Sequence, residues 1–318
     1  MYKYIFTLFV ISCSSQVNDS SDQIHASKVS DTDSSADSTA DIVKQRVSFL
    51  ASLVEDSEKE SCGDAWRGLT EDGNLDIVIV YGYNDSFFGG DIYALDGLSR
   101  EMFTDHVTSP CVANYNACGF SKTNDNDVTI LKKQITGTDG ASINVNIKVT
   151  NSSYSFFDKD NRKNRLQTEK SDFAKKTFYD GIKSADIVFY GGHARDGGGP
   201  DFDPPRLGKG NHVDYNWYHN NRDDIEEIVD LLRYESYSAK ILGIFACSSS
   251  QHFERKLHKV APALGYIVSY RTSPRAVLES SLVGALDAAL GAKCAQNFSK
   301  SILVDAKYPV RFNNFFHK

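Results

Sequence analysis

Residues 184–195 read SADIVFYGGHAR, and residues 238–250 read SAKILGIFACSSS. In each segment a short apolar run, typical of a buried strand, stops at a chemically reactive side chain. The first run leads to His193 and the second to Cys247. Between them, residues 223–235 read DDIEEIVDLLRYE and have the apolar periodicity of an amphipathic helix. This order predicts a βαβ unit whose two strands are parallel neighbours in one sheet.

Similar apolar runs lie on both sides of this βαβ unit. Strands are predicted at 75–82 and 265–270, and the runs 128–136 and 143–149, which flank TDG, predict a hairpin. Helices are predicted at 41–54, 91–106, 173–183, 250–260 and 275–298, the last of them broken by Gly284 and Gly291. Alternating buried strands and helices predict an α/β fold with a mostly parallel sheet, helices on both faces and a β-hairpin insertion. We expect residues 41–318 to form one such domain.

The two reactive side chains are expected to meet at one edge of the sheet. Parallel strands present their carboxyl ends at the same edge, where open α/β sheets build their sites. There the imidazole of His193 could take the thiol proton of Cys247, and the thiolate could attack a carbonyl. A helix that starts near Ser250 would favour the thiolate. A structural alternative stays open, with Cys247 as a small buried hydrophobe and His193 as a hydrogen-bonding group in a turn.

These motifs resemble a known superfamily of peptidases. A strand followed by Gly and His, and a later strand followed by Ala and Cys, resemble clan CD, the caspase, gingipain and legumain superfamily, over roughly residues 75–300. The resemblance implies a caspase-like three-layer sandwich in which His193 is the general base and Cys247 the nucleophile. It further implies an oxyanion hole made by the backbone N–H groups of Ala194 and Cys247. The family usually has Gly after the His, and Ala194 keeps the required N–H.

The loop at 194–221 contains three consecutive glycines and three prolines, so we expect it to lack regular structure and to wall the cleft. Its aspartates Asp201 and Asp203, with Asp196, could bind a basic substrate side chain or a structural Ca²⁺ ion. No metal or other cofactor is predicted, because ordinary solvated loop positions account for Asp196, Asp201, Asp203, His212 and His219.

Arg271 ends the predicted strand at 265–270 and points to a different specificity. The stretch Ser269-Tyr270-Arg271 resembles one in caspases, and that resemblance implies selection of an acidic residue before the scissile bond. The aspartates of the loop would instead favour a basic residue. Both specificities therefore stay open.

The chain has six cysteines, and we expect an exported protein to form disulfides among them. If Cys13 carries lipid and Cys247 is a free nucleophile, four cysteines remain for two disulfides. Cys111 and Cys118 flank the polar loop VANYNA and are the expected local pair. That pairing leaves Cys62 for Cys294, although the count alone allows three connectivities.

The first 13 residues, MYKYIFTLFVISC, have an early lysine and a short apolar stretch before Cys13. They resemble a bacterial lipoprotein signal, which implies that residues 1–12 are removed and that Cys13 is lipidated. Residues 13–40, which begin with the lipidated Cys13, are rich in Ser and Asp, and we expect them to form a disordered tether. Ser14 in place of Asp implies sorting to the outer membrane of the cell envelope, on its periplasmic or surface face.

Composition limits the partners of the protein. A net charge of −7 over 318 residues leaves no excess of Lys and Arg for binding nucleic acid. No nucleotide-binding or zinc-enzyme motif occurs.

The sequence thus predicts an exported, lipid-anchored cysteine endopeptidase that acts on a protein or peptide substrate. The alternative is a catalytically inactive surface lipoprotein of the same fold that acts as a binding or scaffold protein.

Overall fold

The computed structural model describes residues 64–88 and 91–313. The strands of the described residues are β1 (Asn74–Tyr81), β2 (Asp85–Phe88), β3 (Asp91–Ala94), β4 (Ser121–Asp125), β5 (Val128–Thr136), β6 (Ser142–Asn151), β7 (Ile187–Gly191), β8 (Ile241–Phe245), β9 (Gly265–Ser269) and β10 (Val310–Asn313). One sheet has the order β10-β9-β8-β7-β1-β6-β5-β4, whereas β2 and β3 form a separate hairpin.

The helices of the same residues are α1 (Asp64–Thr70), α2 (Asp96–Thr108), α3 (Asp158–Asn161), α4 (Arg165–Ser184), α5 (Tyr215–Asn220), α6 (Asp223–Tyr234), α7 (Arg255–Val260), α8 (Arg275–Leu290) and α9 (Ala295–Ile302). Short 3₁₀ turns cover Arg195–Gly197 and Lys209–Asn211, and a π-helical turn covers Ser250–Glu254. The helix predicted at 250–260 is therefore present, with its first turn wider than an α-helix.

The centre of the sheet is parallel. Strands β6, β1, β7, β8 and β9 run in one direction, and β10, β5 and β4 are antiparallel to their neighbours. The predicted α/β class and mostly parallel sheet are confirmed. Strands β8 and β9 are buried at every residue, as expected for strands covered on both faces.

Helices cover both faces of this sheet. One apolar cluster includes Phe103 of α2, Leu282 of α8 and Phe298 of α9. A second cluster includes Phe178 of α4 and Ile228 of α6. The sheet separates the two clusters, an arrangement compatible with the predicted three-layer sandwich.

Two predicted elements differ in the structure. The hairpin of β5 and β6 is not an insertion, because β6 pairs with β1 along its length and so belongs to the main sheet. The predicted helix at 91–106 begins as strand β3, and the helix itself covers Asp96–Thr108. Residues 91–94 pair with β2 as an antiparallel strand, so the helix begins only after them.

Gly284 does not break α8, contrary to the prediction. The helix continues through it and ends before Gly291. A Cβ atom on Gly284 would lie 2.1 Å from the carbonyl oxygen of Ser301. Gly284 is therefore the point at which α9 packs closely against α8.

The loop at 194–221 is more ordered than its glycines and prolines predict. It contains α5, and Oδ1 of Asp214 accepts a hydrogen bond of 3.1 Å from the N–H of Trp217 in its first turn. The predictions for 1–12, 13–40, the helix at 41–54, Cys13 and Cys62 lie outside the described residues. None of the helices in 64–88 and 91–313 combines the length and the apolar character that crossing a bilayer requires.

Candidate active site

The register of β7 and β8 aligns the two predicted reactive residues. Gly191 is paired with Phe245, and the N–H of Gly192 donates to the carbonyl oxygen of Phe245 at 3.2 Å. His193 and Cys247 each lie two residues beyond that pair, at the carboxyl ends of adjacent parallel strands. They therefore occupy equivalent positions at one edge of the sheet, as the strand pattern predicts.

The glycine before His193 is required by packing. A Cβ atom on Gly192 would lie 2.4 Å from the hydroxyl of Tyr190. That hydroxyl lies 3.1 Å from the carbonyl oxygen of His193 and accepts a hydrogen bond of 2.8 Å from the N–H of Asp201. Tyr190 thus connects the start of the loop to the end of β7 through hydrogen bonds. At position 192 only glycine leaves room for the Tyr190 hydroxyl.

Asp85, at the start of β2, holds the imidazole of His193. Nε2 of His193 lies 3.2 Å from the carbonyl oxygen of Asp85 and 3.4 Å from its carboxylate Oδ1. Both oxygens accept hydrogen bonds, so Nε2 carries the proton in the neutral ring. Nδ1 then has the lone pair and is the nitrogen able to act as a base.

Arg195 connects this pair to the loop. Its buried guanidinium forms ion pairs with the carboxylates of Asp85 and Asp201. Burial alone would raise the pKa of Asp85, but the charge of Arg195 and the hydrogen bond from His193 outweigh burial and hold that pKa well below its usual range. Asp85 is therefore ionised at neutral pH.

Of the three predicted substrate-binding residues, one is buried and two are exposed. Asp201 is buried and occupied by Arg195, so it is not available to a basic substrate side chain. Asp203 is exposed. Arg271 is exposed as well, and its carbonyl oxygen accepts a hydrogen bond of 3.0 Å from the N–H of Ser248. Neither Asp203 nor Arg271 is among the described residues that line the cavity beside His193.

That cavity has a volume of about 170 Å³ and includes His193, Asp85 and Arg195 in its walls. Ser273 also lines it, and Sγ of Cys247 lies 3.5 Å from the carbonyl oxygen of Ser273. His193 therefore lines the cavity directly, whereas Cys247 is not among its lining residues and contacts it only through Ser273. Two charged residues from α8, Arg275 and Glu279, complete its polar surface.

Cys247 is not the free thiol that the cysteine count predicts. Both Cys247 and Cys294 take part in disulfide bonds, and none of the described cysteines is free. The Cys111–Cys118 disulfide is confirmed, with the two Cα atoms 5.1 Å apart. The number of cysteines does not show which sulfur atoms lie close enough to bond, so it could not exclude Cys247 from a disulfide. The Cys62–Cys294 pairing stays a prediction, since Cys62 lies outside the described residues.

Ala194, one of the two residues expected to form an oxyanion hole, lies at the start of the loop. Ala194 is buried, and its carbonyl oxygen accepts hydrogen bonds from the N–H groups of Gly197 and Gly199 at 2.9 and 3.1 Å. Within the described part of the chain, the N–H of Ala194 donates no backbone hydrogen bond. This donor is thus available to a carbonyl oxygen bound next to His193.

Asp196 lies on the outer side of the loop. Its carboxylate is 3.4 Å from Nδ1 of His219 and 3.9 Å from Nε2 of His252. The guanidinium of Arg222 lies 3.4 Å from the same nitrogen of His219, and its positive charge opposes a bound cation. Among residues 64–88 and 91–313, no group of three or more His, Cys, Asp or Glu side chains is placed to hold a metal ion.

The sequence patterns do not indicate four further residues of the site, Asp85, Arg195, Arg275 and Glu279. Asp85 precedes two phenylalanines in a short hairpin, and no spacing connects it to His193, which is 108 residues away. Arg275 and Glu279 have the spacing of one helical turn, which was the available signal. Comparisons of the chain with protein-family models, curated proteins and solved structures found no match.

Proposed function

We propose that the protein is a cysteine endopeptidase in which His193 is the general base and Cys247 the nucleophile. One observation carries the proposal: the register of β7 and β8 aligns the two residues at the carboxyl edge of the sheet. Asp85 adds support, because it fixes the protonated nitrogen of the ring and leaves Nδ1 as the base. The caspase-like fold and the likeness to clan CD are part of this proposal.

The proposed reaction begins with the thiol of Cys247 and the carbonyl carbon of a peptide bond. Nδ1 of His193 takes the thiol proton as sulfur attacks, and the backbone N–H groups of Ala194 and Cys247 stabilise the oxyanion. The imidazolium then protonates the leaving amine, and an acyl-enzyme thioester remains. Water, deprotonated by the same imidazole, hydrolyses the thioester. The ionised carboxylate of Asp85 stabilises the transient imidazolium charge.

Reduction must precede this reaction, because Cys247 takes part in a disulfide. A dithiol would transfer two electrons to that disulfide and form its own disulfide, which releases Cys247 as a thiol. The proposed enzyme is therefore inactive in the oxidised form. We expect peptidase activity to appear on addition of a dithiol.

The disulfide also favours a second candidate function. If Cys247 stays in its disulfide under physiological conditions, the site cannot attack a carbonyl. The protein would then use the same cavity to bind a partner, as an inactive scaffold. Activity measured across a series of thiol redox buffers separates the two functions, since the enzyme gains activity as the buffer becomes more reducing.

Anchoring and export are proposed from the sequence. Cys13 would carry the lipid and hold the protein in the bacterial cell envelope. Cys13→Ser should release the protein from membranes or leave it unprocessed. A Cys13→Ser variant that still partitions into detergent with wild-type mobility would exclude the lipid anchor.

The test of the catalytic proposal uses substitutions in the reduced protein. Cys247→Ala and His193→Ala should each remove nearly all hydrolysis of a peptide substrate, and the double variant should be little worse, because the two groups act as one unit. His212→Ala is the control and should keep most of the activity, since His212 is exposed. Thermal melts must stay close to wild type. Full activity in Cys247→Ala would exclude Cys247 as the nucleophile.

A further inference from the structure

Exposed apolar side chains are concentrated on the surface that follows β6. Ten large apolar side chains are exposed among the described residues, and half of them lie between positions 154 and 173: Tyr154, Phe156, Phe157, Leu166 and Phe173. Isolated exposed apolar residues are ordinary on a protein surface, whereas a contiguous group of them marks a surface that contacts another apolar phase.

The two phenylalanines are fixed in place by the β2–β3 hairpin. The ring centroid of Tyr93, in β3, lies 5.1 Å from that of Phe156 and 5.5 Å from that of Phe157. The centroids of Phe156 and Phe157 are 5.4 Å apart, and the N–H of Ala94 donates to the carbonyl oxygen of Phe156 at 2.7 Å. Main-chain and ring contacts therefore present both phenylalanines on the surface in a defined arrangement.

Tyr154 and Leu166 extend this surface to the start of α4. The N–H of Tyr154 donates to Oε1 of Gln167 at 2.8 Å, which places Tyr154 beside the first helical turn. Leu166 belongs to that turn, and Phe173 follows on the same helix face two turns later. We call the four side chains of Tyr154, Phe156, Phe157 and Leu166 the aromatic patch.

Basic side chains adjoin the aromatic patch, although the chain as a whole is acidic. Residues 159–165 read KDNRKNR and contain four cations and one carboxylate, whereas the net charge of the chain is −7. Nζ of Lys159 lies 5.6 Å from the centroid of the Phe157 ring. Three of the cations line one surface cleft together with two polar residues: Lys159, Lys163, Arg165, Asp160 and Asn164. The aromatic and basic groups thus belong to one surface.

Helix stability does not explain where these cations lie. Helix α4 begins at Arg165, and its first turn contains no acidic residue. The N-terminus of a helix carries partial positive charge, so cations there oppose the helix dipole. Lys163 and Arg165 also form no ion pair within the described part of the chain. An external anion would supply the negative charge that this surface lacks.

The aromatic patch lies at the same edge of the sheet as His193. Strands β6, β1 and β7 are parallel, so the residues that follow β6 and those that follow β7 emerge at one edge. The β2–β3 hairpin connects the two places, because Tyr93 is paired with Ser86 and the neighbouring Asp85 contacts His193. A surface that contacts the patch would therefore face the edge that carries the candidate active site.

We propose that the aromatic patch and its cations dock the domain on a bilayer surface that contains anionic lipid, and turn the carboxyl edge of the sheet toward that bilayer. Aromatic side chains favour the headgroup level of a bilayer, and clusters of about four or more Lys and Arg bind anionic headgroups. The inference goes beyond the peptidase proposal and does not depend on it. A few rings and cations give weak, salt-sensitive binding, so the patch would orient a protein that the lipid anchor retains.

Two other occupants fit the aromatic patch less well. In a symmetric dimer the patch would face its own copy, which brings the cations of the two chains together. An acidic protein would neutralise the cations but would also have to offer an apolar surface to the rings. A bilayer presents anionic headgroups and an apolar interior side by side over its whole surface, and the predicted anchor at Cys13 would keep one within reach.

The test measures co-sedimentation of the predicted mature chain, residues 13–318, with Cys13→Ser so that no acyl chain takes part. Vesicles of phosphatidylcholine alone are compared with vesicles that contain about one-quarter phosphatidylglycerol. We expect the partition coefficient to be at least about tenfold higher on the anionic vesicles, and to fall toward the phosphatidylcholine value in high salt. Equal partitioning onto the two kinds of vesicle would overturn the inference.

Substitutions in the patch are compared with matched substitutions elsewhere. Lys163→Gln and Arg165→Gln should each lower the partition coefficient on anionic vesicles by about fivefold, and Phe156→Ser by about tenfold. Lys122→Gln, exposed on the distant edge strand β4, and Tyr234→Ser, exposed at the end of α6, should leave it nearly unchanged. Thermal melts identify any variant that fails to fold. Wild-type partitioning in all three patch variants would contradict docking through this surface.

A fluorescent reporter separates a bilayer from a protein partner. The emission of Tyr154→Trp should shift to shorter wavelength when anionic vesicles are added, whereas that of Tyr234→Trp should not. No shift in Tyr154→Trp, together with a dimer in sedimentation velocity that Phe156→Ser abolishes, would overturn bilayer docking and assign the patch to a second copy of the chain. Peptidase activity enters none of these measurements, so the inference and the peptidase proposal can fail separately.

Discussion

Oδ1 of Asp85 lies 3.4 Å from Nε2 of His193, and the carbonyl oxygen of the same aspartate lies 3.2 Å from that nitrogen. One residue of the β2–β3 hairpin therefore holds the imidazole through its main chain and its side chain together. The main-chain contact fixes the tautomer of His193. The carboxylate contributes negative charge that would stabilise the imidazolium formed when His193 takes a proton.

Asp85→Asn separates these two contributions. The carbonyl contact survives the substitution, so we expect kcat/KM of the reduced protein to fall by about ten- to a hundredfold, less than the loss that follows when an orienting aspartate is the sole support. Arg195 keeps Asp201 as a partner, which limits the loss of stability. Asp203→Asn is the control because Asp203 is exposed. Wild-type kinetics in Asp85→Asn would show that the carboxylate plays no part in the reaction.

Two helical glycines should respond to alanine with opposite signs. Gly284→Ala places a Cβ atom 2.1 Å from the backbone oxygen of Ser301, so it should lower the free energy of unfolding by about 2–3 kcal/mol. Gly68→Ala, in α1, meets nothing within 4 Å and should raise it by about 0.5–1 kcal/mol through helix propensity. Urea denaturation measures both. A neutral Gly284→Ala would contradict the close packing of α8 and α9.

Asp186 should make stability depend on pH. Burial, with added repulsion from the carboxylates of Asp76 and Asp72, raises the pKa of Asp186 to about 6. Because the folded-state pKa is raised, its contribution to stability is fully present below pH ~4 and is lost as pH rises through about 6.

Asp186→Asn removes the ionisable carboxyl, so the variant should not lose stability as pH rises through about 6. We expect the variant to exceed wild type by about 1 kcal/mol in unfolding free energy at pH 8, a value reduced for partial solvent exposure, and to show no gain at pH 4. Asp230→Asn, on the exposed face of α6, is the control. Equal effects of Asp186→Asn at both pH values would refute the assignment.

The Cys111–Cys118 disulfide closes a short loop and should stabilise the fold by a modest amount. Replacing both cysteines by serine should lower the free energy of unfolding by about 2 kcal/mol, the value expected from the chain entropy of so short a loop. Urea denaturation of the oxidised protein provides the measurement. A loss well above this value would mean that the loop also carries tertiary packing.

Local patterns predicted the elements on which the site is built. The strands that end in GGH and AC are recognisable because they are short apolar runs, and their parallel pairing follows from the helix between them. The confirmed Cys111–Cys118 disulfide was also a local inference. Each of these depends on residues that are close in sequence.

The parts that sequence could not predict depend on contacts between distant segments. Asp85 meets His193 across 108 residues, and Ser99 meets Glu279 across 180. Gly284 has the appearance of a helix breaker, yet it is a packing contact with α9. The state of Cys247 was predicted wrongly, because a count of cysteines carries no information on which sulfur atoms meet.

The central claim is that His193 activates the thiol of Cys247, and the rate of active-site labelling tests it most directly. The reduced protein would be treated with a thiol-reactive peptide ketone, and the modified residue identified by mass spectrometry. We expect Cys247 to react at least about tenfold faster than free cysteine, and this advantage to disappear in His193→Ala. Labelling of Cys247 at the rate of free cysteine, or at the same rate with and without His193, would contradict the account.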